Sequence, residues 1–164
     1  MDFALTLLSD GTGADLALTP QGDLALDAGL TTCVILSLLC DRLADPDDVI
    51  PDGSSNRRGW WGDAYLPPLP DGSAMRLGSK LWLRTRMTET QRTAKIIQAD
   101  IAQALAWMTI TGLASAINIS FQFVGATGVQ YTVAIVQPGP SGSATAIYTV
   151  AWNFSLGVTS VTQG

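Results

Sequence analysis

The 164-residue chain has no histidine, two cysteines, one glutamate, and no Asp, Glu, Lys or Arg beyond Asp100. Without histidine there is no Ser–His or Cys–His nucleophile pair, and the commonest metal ligand is missing. Cys33 and Cys40 lie seven apart in a helix-like stretch, so their Cα atoms stand about 10 Å from each other. That is too far for a disulfide, and two cysteines alone make no zinc site. They read as small buried hydrophobes in a reducing compartment. The N-terminus lacks the basic-then-apolar layout of a signal peptide. Residues 101–119 are uncharged, but Gln103, Thr109, Thr111, Gly112, Ser115 and Asn118 interrupt them and argue against a membrane span.

The uncharged last 64 residues are the most unusual feature. Average composition would place roughly 16 charges there, and a solvated surface normally carries them. Either other molecules cover this half, or its polar face is unusually neutral. Both readings suit a component of an assembly better than a free enzyme.

With 47% apolar and 14% charged residues, the chain reads as one ordered domain spanning 1–164. Its net charge of −5 is unevenly spread: residues 1–56 hold ten Asp against Arg42, and residues 57–100 hold eight basic against four acidic residues. Such zones suit docking against different neighbours, although charge clustering without purpose explains them equally well.

Residues 3–8 read as a short strand. Asp15-Leu16-Ala17-Leu18 and Asp23-Leu24-Ala25-Leu26, separated by Thr19-Pro20-Gln21-Gly22, read as a hairpin with exposed acidic tips. Residues 30–43 are apolar on most faces and read as a largely buried helix ending before Asp45-Pro46-Asp47-Asp48. Residues 44–76 form a long loop rich in Asp, Pro and Gly. Residues 77–84 read as extended. Thr88 and Gln91 fit a capping box, followed by an apolar stripe of Ala94, Ile97, Ile101, Ala104, Leu105 and Met108. Gly112 supplies a left-handed stop.

Three alternating strands follow, bearing Ile117 to Phe123, Val129 to Ile135 and Tyr148 to Phe154. They turn at 125–128 and at Pro138-Gly139-Pro140, and residues 157–164 read as a loose tail. The fold class is α+β: short N-terminal strands, two main helices and a C-terminal three-stranded antiparallel meander with one apolar face.

Arg57-Arg58-Gly59-Trp60-Trp61-Gly62-Asp63 is the densest chemical signal. Trp and Arg dominate interface energetics, and the glycines would let the backbone present the two rings on opposite sides. At least one indole is expected to plug the domain's own core, and Trp82 to pack beneath the loop. The protein-interface candidates are Arg57, Arg58, Trp60, Trp61, Asp63 and Trp82. Nucleic acid is not expected, because the acidic flank at 45–52 would repel phosphates. Gly11-Thr12-Gly13 lacks the rest of a phosphate loop. No catalytic residue, metal or cofactor is expected.

Arg57 to Asp63 and Gly78-Ser79-Lys80-Leu81-Trp82 resemble the phage Mu-type baseplate wedge family, the gene-product-forty-six family of contractile-tailed phages and prophages. The leading strands, the helix ending in Asp41-Arg42-Leu43-Ala44, Ala104-Leu105-Ala106-Trp107 and the strand with Trp152 extend the resemblance over most of the chain. That family is distantly similar to the T4-type gene-twenty-five baseplate proteins, which carry a Glu-Pro-Arg tripeptide. Here the comparable stretch, Trp107-Met108-Thr109-Ile110-Thr111, lacks it, so the tripeptide's role does not carry over.

The resemblance implies a structural, non-enzymatic wedge subunit. It would join other wedge and tail-tube-proximal proteins in the virion baseplate, or in a phage-derived injection machine, after synthesis in the host cytoplasm. The competing class is a peptidoglycan-binding or lysozyme-like module. Its two carboxyls would be Glu89, which the first turn of a helix explains equally well, and Asp63, which pairing with Arg57 or Arg58 would explain. A secreted adhesin domain suits the Thr- and Gly-rich end but not the missing signal sequence.

Overall fold

The structure, a computed structural model, describes residues 2–8, 13–27, 29–85, 87–139, 142–154 and 157–164. The Gly11-Thr12 pair and Pro140 lie outside them. Four short strands open the chain: β1 (Asp2–Phe3), β2 (Leu5–Leu7), β3 (Ala14–Leu16) and β4 (Leu26–Asp27). Then come α1 (Thr31–Leu39), the long loop, α2 (Gln91–Ile110) and an antiparallel sheet of β5 (Ala116–Val124), β6 (Gly128–Gln137), β7 (Ala144–Asn153) and β8 (Gly157–Gln163) in sequential order. The α+β class holds, with four C-terminal strands instead of three.

The expected N-terminal hairpin is present at its tip, as a Leu18–Leu24 bridge flanked by the Thr19–Asp23 and Ala25–Ala17 backbone bonds. Its arms pair mainly with the first strand instead: β3 lies against β2 and β4 against β1. Ala4 is the crossing point, donating to Ala25 and accepting from Ala17. Asp27 closes this module onto α1 by accepting from the backbone N–H groups of Gly29 and Thr32. Burial works against its charge, yet these bonds hold its carboxyl below the usual value.

Helix α1 ends four residues earlier than its apolar pattern suggests. Cys40 is extended because the chain from Cys40 to Arg42 pairs with Ser79. The Ser79 N–H donates to the Cys40 carbonyl (2.9 Å) and the Arg42 N–H to the Ser79 carbonyl (3.0 Å). The Ser79 hydroxyl donates to the Leu38 carbonyl (2.7 Å), closing the helix end. Both cysteines are free and only half-buried, not core residues. Burial raises both thiol pKa values, with help from neighbouring aspartates.

Residues 77–84 are not a strand, since Leu81–Arg84 form a 3-10 turn. Leu81, Trp82 and Leu83 are all buried, and a strand sends successive side chains to opposite faces. The tight turn instead sends Leu81 into the main core and Trp82 and Leu83 into a small second cluster with Ala44.

The cap of α2 is Thr90, not Thr88. Its hydroxyl accepts from the Thr93 N–H (3.1 Å), and the two threonine hydroxyls also bond to each other (2.9 Å). Gln91 is the first helical residue, and Glu89 stands before the cap, outside the first turn. The expected stripe from Ala94 to Met108 is buried in full, and Gly112 takes a φ of 76° just beyond the helix.

Both helices cover one face of the sheet. Val129, Tyr131, Val133 and Ile135 of β6 meet Tyr148, Val150 and Trp152 of β7 beneath them. The opposite face shows Asn118, Ser120, Gln122, Thr145, Thr149 and Asn153, with Ile147 exposed among them.

Residues 157–164 are no loose tail: β8 pairs along β7 from Tyr148 to Asn153 and buries Val161. A bulge conceals this strand in the sequence. Val158 faces Trp152 and Val161 faces Val150, so β8 spends one residue more than β7 over that interval. The extra residue places two valines three apart on one face and breaks the alternation that marks a strand. Deleting residues 157–164 should lower the melting midpoint by roughly 5–10 °C, and the bared β7 edge should promote aggregation. Calorimetry with light scattering measures both effects.

Candidate interface

The long loop is pinned at its base by its own polar groups. Beside the Cys40–Ser79 pairing, Gly78 adopts a φ of 97°, and a methyl group there would stand 2.3 Å from the Cys40 carbonyl oxygen. The Lys80 ammonium is nearly buried and reaches Asp45 at 2.5 Å and Asp48 at 2.7 Å. The Trp82 indole N–H donates to the Arg42 carbonyl (2.9 Å).

Lys80 sets a pH dependence. Its hydrogen bond is the main influence holding Asp45 below the usual 3.8. Burial opposes ionisation of Asp48, but bonds from Lys80 and from the Asp45 N–H bring it below 3.8 as well. Burial also opposes the charge on Lys80, yet both carboxylates raise its pKa above 10.5. Carboxyls that bind protons more weakly in the folded chain stabilise it above their unfolded pKa, and the benefit is lost as pH falls through the folded value. The lysine contribution is complete below 10.5 and is lost as pH rises through the raised value. Urea midpoints should therefore hold across neutral pH and fall below about pH 4. Lys80→Met should be less stable at pH 7 and should flatten that acid limb.

On this base the Arg–Trp segment is arranged differently from its sequence expectation. The Arg57 guanidinium is turned inward, donating to the Ala44 carbonyl from Nε (3.0 Å) and Nη2 (2.7 Å). Arg58 has a φ of 52°, pairs with Asp41 at 2.7 Å, and lies 4.5 Å from the centroid of the Trp82 ring. Trp82, only 7% exposed, thus packs beneath the loop as expected. Asp63 pairs with neither arginine; its carboxylate accepts from the Leu77 N–H (2.9 Å) and ties the two arms of the loop together.

Neither indole of the double-Trp motif enters the core. Trp60 is half-buried and lies over Gly62, where a Cβ would meet its ring at 2.2 Å. The two rings do not point to opposite sides: Trp60 and Trp61 stand 5.4 Å apart, and Trp61 meets Tyr65 edge-on at 6.5 Å. A 3-10 turn over Trp61–Tyr65 brings these side chains together. Trp61 is 80% and Tyr65 82% exposed. Tyr65 was not among the sequence candidates; its four-residue spacing from Trp61 was the available signal.

A model of the family described as "Phage protein GP46" matches residues 30–143. The chain belongs to the phage protein GP46 family. A protein of Escherichia phage Mu named "Baseplate protein gp46" is 41% identical over 97 residues, covering 59% of this chain and 62% of that protein. The "Mu-like prophage FluMu protein gp46" of Haemophilus influenzae is 32% identical over 118 residues, 72% of this chain and 73% of that one. The chain thus spans less than two thirds of the Mu protein. The GP46 match takes in α1, the whole loop, α2, β5 and β6, so the exposed aromatic group lies within the family region.

Among the described residues, no group of His, Cys, Asp and Glu side chains could hold a metal ion, and no helix is long and apolar enough to cross a membrane. The basic zone seen in the sequence is largely consumed inside the fold. Arg57, Arg58, Arg76, Lys80 and Arg84 of that zone all bond to groups of this chain. Arg92 and Lys95 on α2 are exposed.

Proposed function

We propose that this GP46-family chain is a structural, non-catalytic subunit of a phage baseplate, a wedge component of a contractile tail or of a phage-derived injection machine. The observation that carries the reading is the exposed Trp61–Tyr65 pair with Trp60 beside it, presented by a loop pinned through Asp45, Arg57 and Asp63. A rigid mount with exposed rings lowers the ordering cost of binding, and such rings commonly supply the decisive contact energy. The name of the Mu relative supports the baseplate assignment. The uncharged open face of the sheet supports a second covered surface.

In this reading Trp61 and Tyr65 contact a neighbouring wedge or tail-tube-proximal protein, with Trp60 and Arg58 at the margin. Arg57, Asp63 and Trp82 shape the loop from within. Virion assembly then places the chain in the tail baseplate after synthesis in the host cytoplasm.

Co-expression with the proteins encoded beside it, followed by native mass measurement, tests this role. A complex of fixed stoichiometry is expected. A chain that stays alone in every combination, yet clears cell walls in a turbidity assay, would establish the hydrolytic alternative.

A further inference from the structure

Away from the aromatic group, a cavity of about 230 Å³ lies between the loop and the C-terminal half of α2. Arg42, just beyond α1, faces it together with Ser73 and Arg76 of the loop and Gln103, Trp107 and Ile110 of the helix. Two guanidiniums at one cavity repel each other and favour an anion between them. Arg42 is held there by one of its five N–H donors, Nη1, which bonds to the Arg76 carbonyl oxygen at 3.0 Å. Among the described residues no carboxylate forms an ion pair with Arg42. Among the described residues Arg76 forms an ion pair only with Asp45, at 3.7 Å, and that carboxylate already holds Lys80 at 2.5 Å.

The electrostatics agree with the geometry. Burial is the main influence lowering the pKa of Arg42, and the neighbouring Arg76 charge comes next, ahead of the opposing attraction of Asp45 and of Asp63. The group remains charged, as arginine does in proteins, so it is a half-buried cation with unfilled hydrogen-bonding capacity. A charge in that position gains most from a forked, charge-assisted partner.

We propose that this cavity is a carboxylate-binding site, in which Arg42 and Arg76 receive an acidic side chain of a partner polypeptide. The planar carboxylate matches the guanidinium fork. The Trp107 and Ile110 wall accepts the short apolar stem that carries it. The volume is below that of pockets for drug-sized ligands and suits a single side chain. The site stands whether or not the partner belongs to a baseplate, because it rests on the cavity and its two cations alone.

The test uses the full chain labelled with nitrogen-15, titrated with N-acetyl-leucyl-glutamate amide at constant ionic strength. The Trp107 indole N–H, which donates to the Ser37 hydroxyl at 3.0 Å, is the reporter and is assigned by its loss in Trp107→Phe. A saturable shift is expected with the glutamate peptide and none with the matching glutamine peptide. Arg76→Gln keeps the backbone carbonyl that positions Arg42, and should weaken binding at least about tenfold. Wild-type contacts between the glutamate methylenes and the Trp107 ring, seen as nuclear Overhauser effects, read the site without any variant. No saturable shift, equal shifts with both peptides, or a response to sodium sulfate alone would overturn the assignment.

Discussion

Gly78→Ala should fail to fold, or should lose on the order of 3–5 kcal/mol, a large share of the total stability of an ordinary domain. Two independent effects act at this position. Its φ of 97° lies where a Cβ is strained. The added methyl would also meet the Cys40 carbonyl oxygen at 2.3 Å and the Cys40 carbonyl carbon at 2.8 Å. Neither obstacle is a flexible side chain that could swing aside. Relief requires the Cys40–Ser79 pairing to part, and that pairing ends α1 and positions Lys80, Leu81 and Trp82. Gly72→Ala is the matched control. Gly72 also has a positive φ, 81°, but a Cβ there meets nothing within 4 Å, so it should cost only about 1–2 kcal/mol. Chemical denaturation of both variants measures the difference. Equal stabilities would mean that the close Gly78–Cys40 approach does not hold the loop base.

The second large effect concerns assembly. Trp61→Ala with Tyr65→Ala should weaken incorporation into a wedge complex by at least about 100-fold, because truncating a central aromatic contact costs about 2 kcal/mol or more. Stability should stay within about 0.5 kcal/mol of the parent, since Trp61 is 80% and Tyr65 82% exposed. The measurement is co-purification with baseplate neighbours beside a thermal melt. Arg57→Glu with Arg58→Glu is a poorer probe than the sequence suggested. Arg57 supports the Ala44 carbonyl and Arg58 pairs with Asp41 over Trp82, so that double change would unsettle the loop itself. A Trp61/Tyr65 variant that assembles normally would remove the aromatic group from the contact surface.

The elements that were legible in the sequence are those whose side chains repeat with the period of their own backbone. The α2 stripe from Ala94 to Met108 and the apolar faces of β6 and β7 are buried as expected, because one face of each packs continuously, whereas the edge strand β5 is only half-buried and its Phe123 is 46% exposed. The Thr90 cap was missed by two residues, since Thr88, Thr90 and Thr93 offer similar hydroxyls and only the helix start decides between them. β8 was missed because its bulge shifts the face of its valines partway along.

At the candidate interface, composition singled out a segment whose side chains the structure arranges differently from expectation. Trp82 lies under the loop as its apolar neighbours implied. Arg57 and Asp63, which looked free to meet a partner, bond instead to Ala44 and Leu77. Tyr65 gained its place from a single turn of 3-10 helix.

The amino-acid sequence by itself determined the class of the fold, the buried stripe and the lack of ionic side chains beyond Asp100, because these depend on local period and composition. Tertiary structure alone decided where α1 stops, which cations remain available and which rings face outward. The first two depend on backbone or carboxylate groups brought from 13 to 41 positions away, as Ser79 is to Leu38 and Arg57 to Ala44. Hydrogen bonds over such separations exist only once the chain has closed on itself, and no local pattern encodes them.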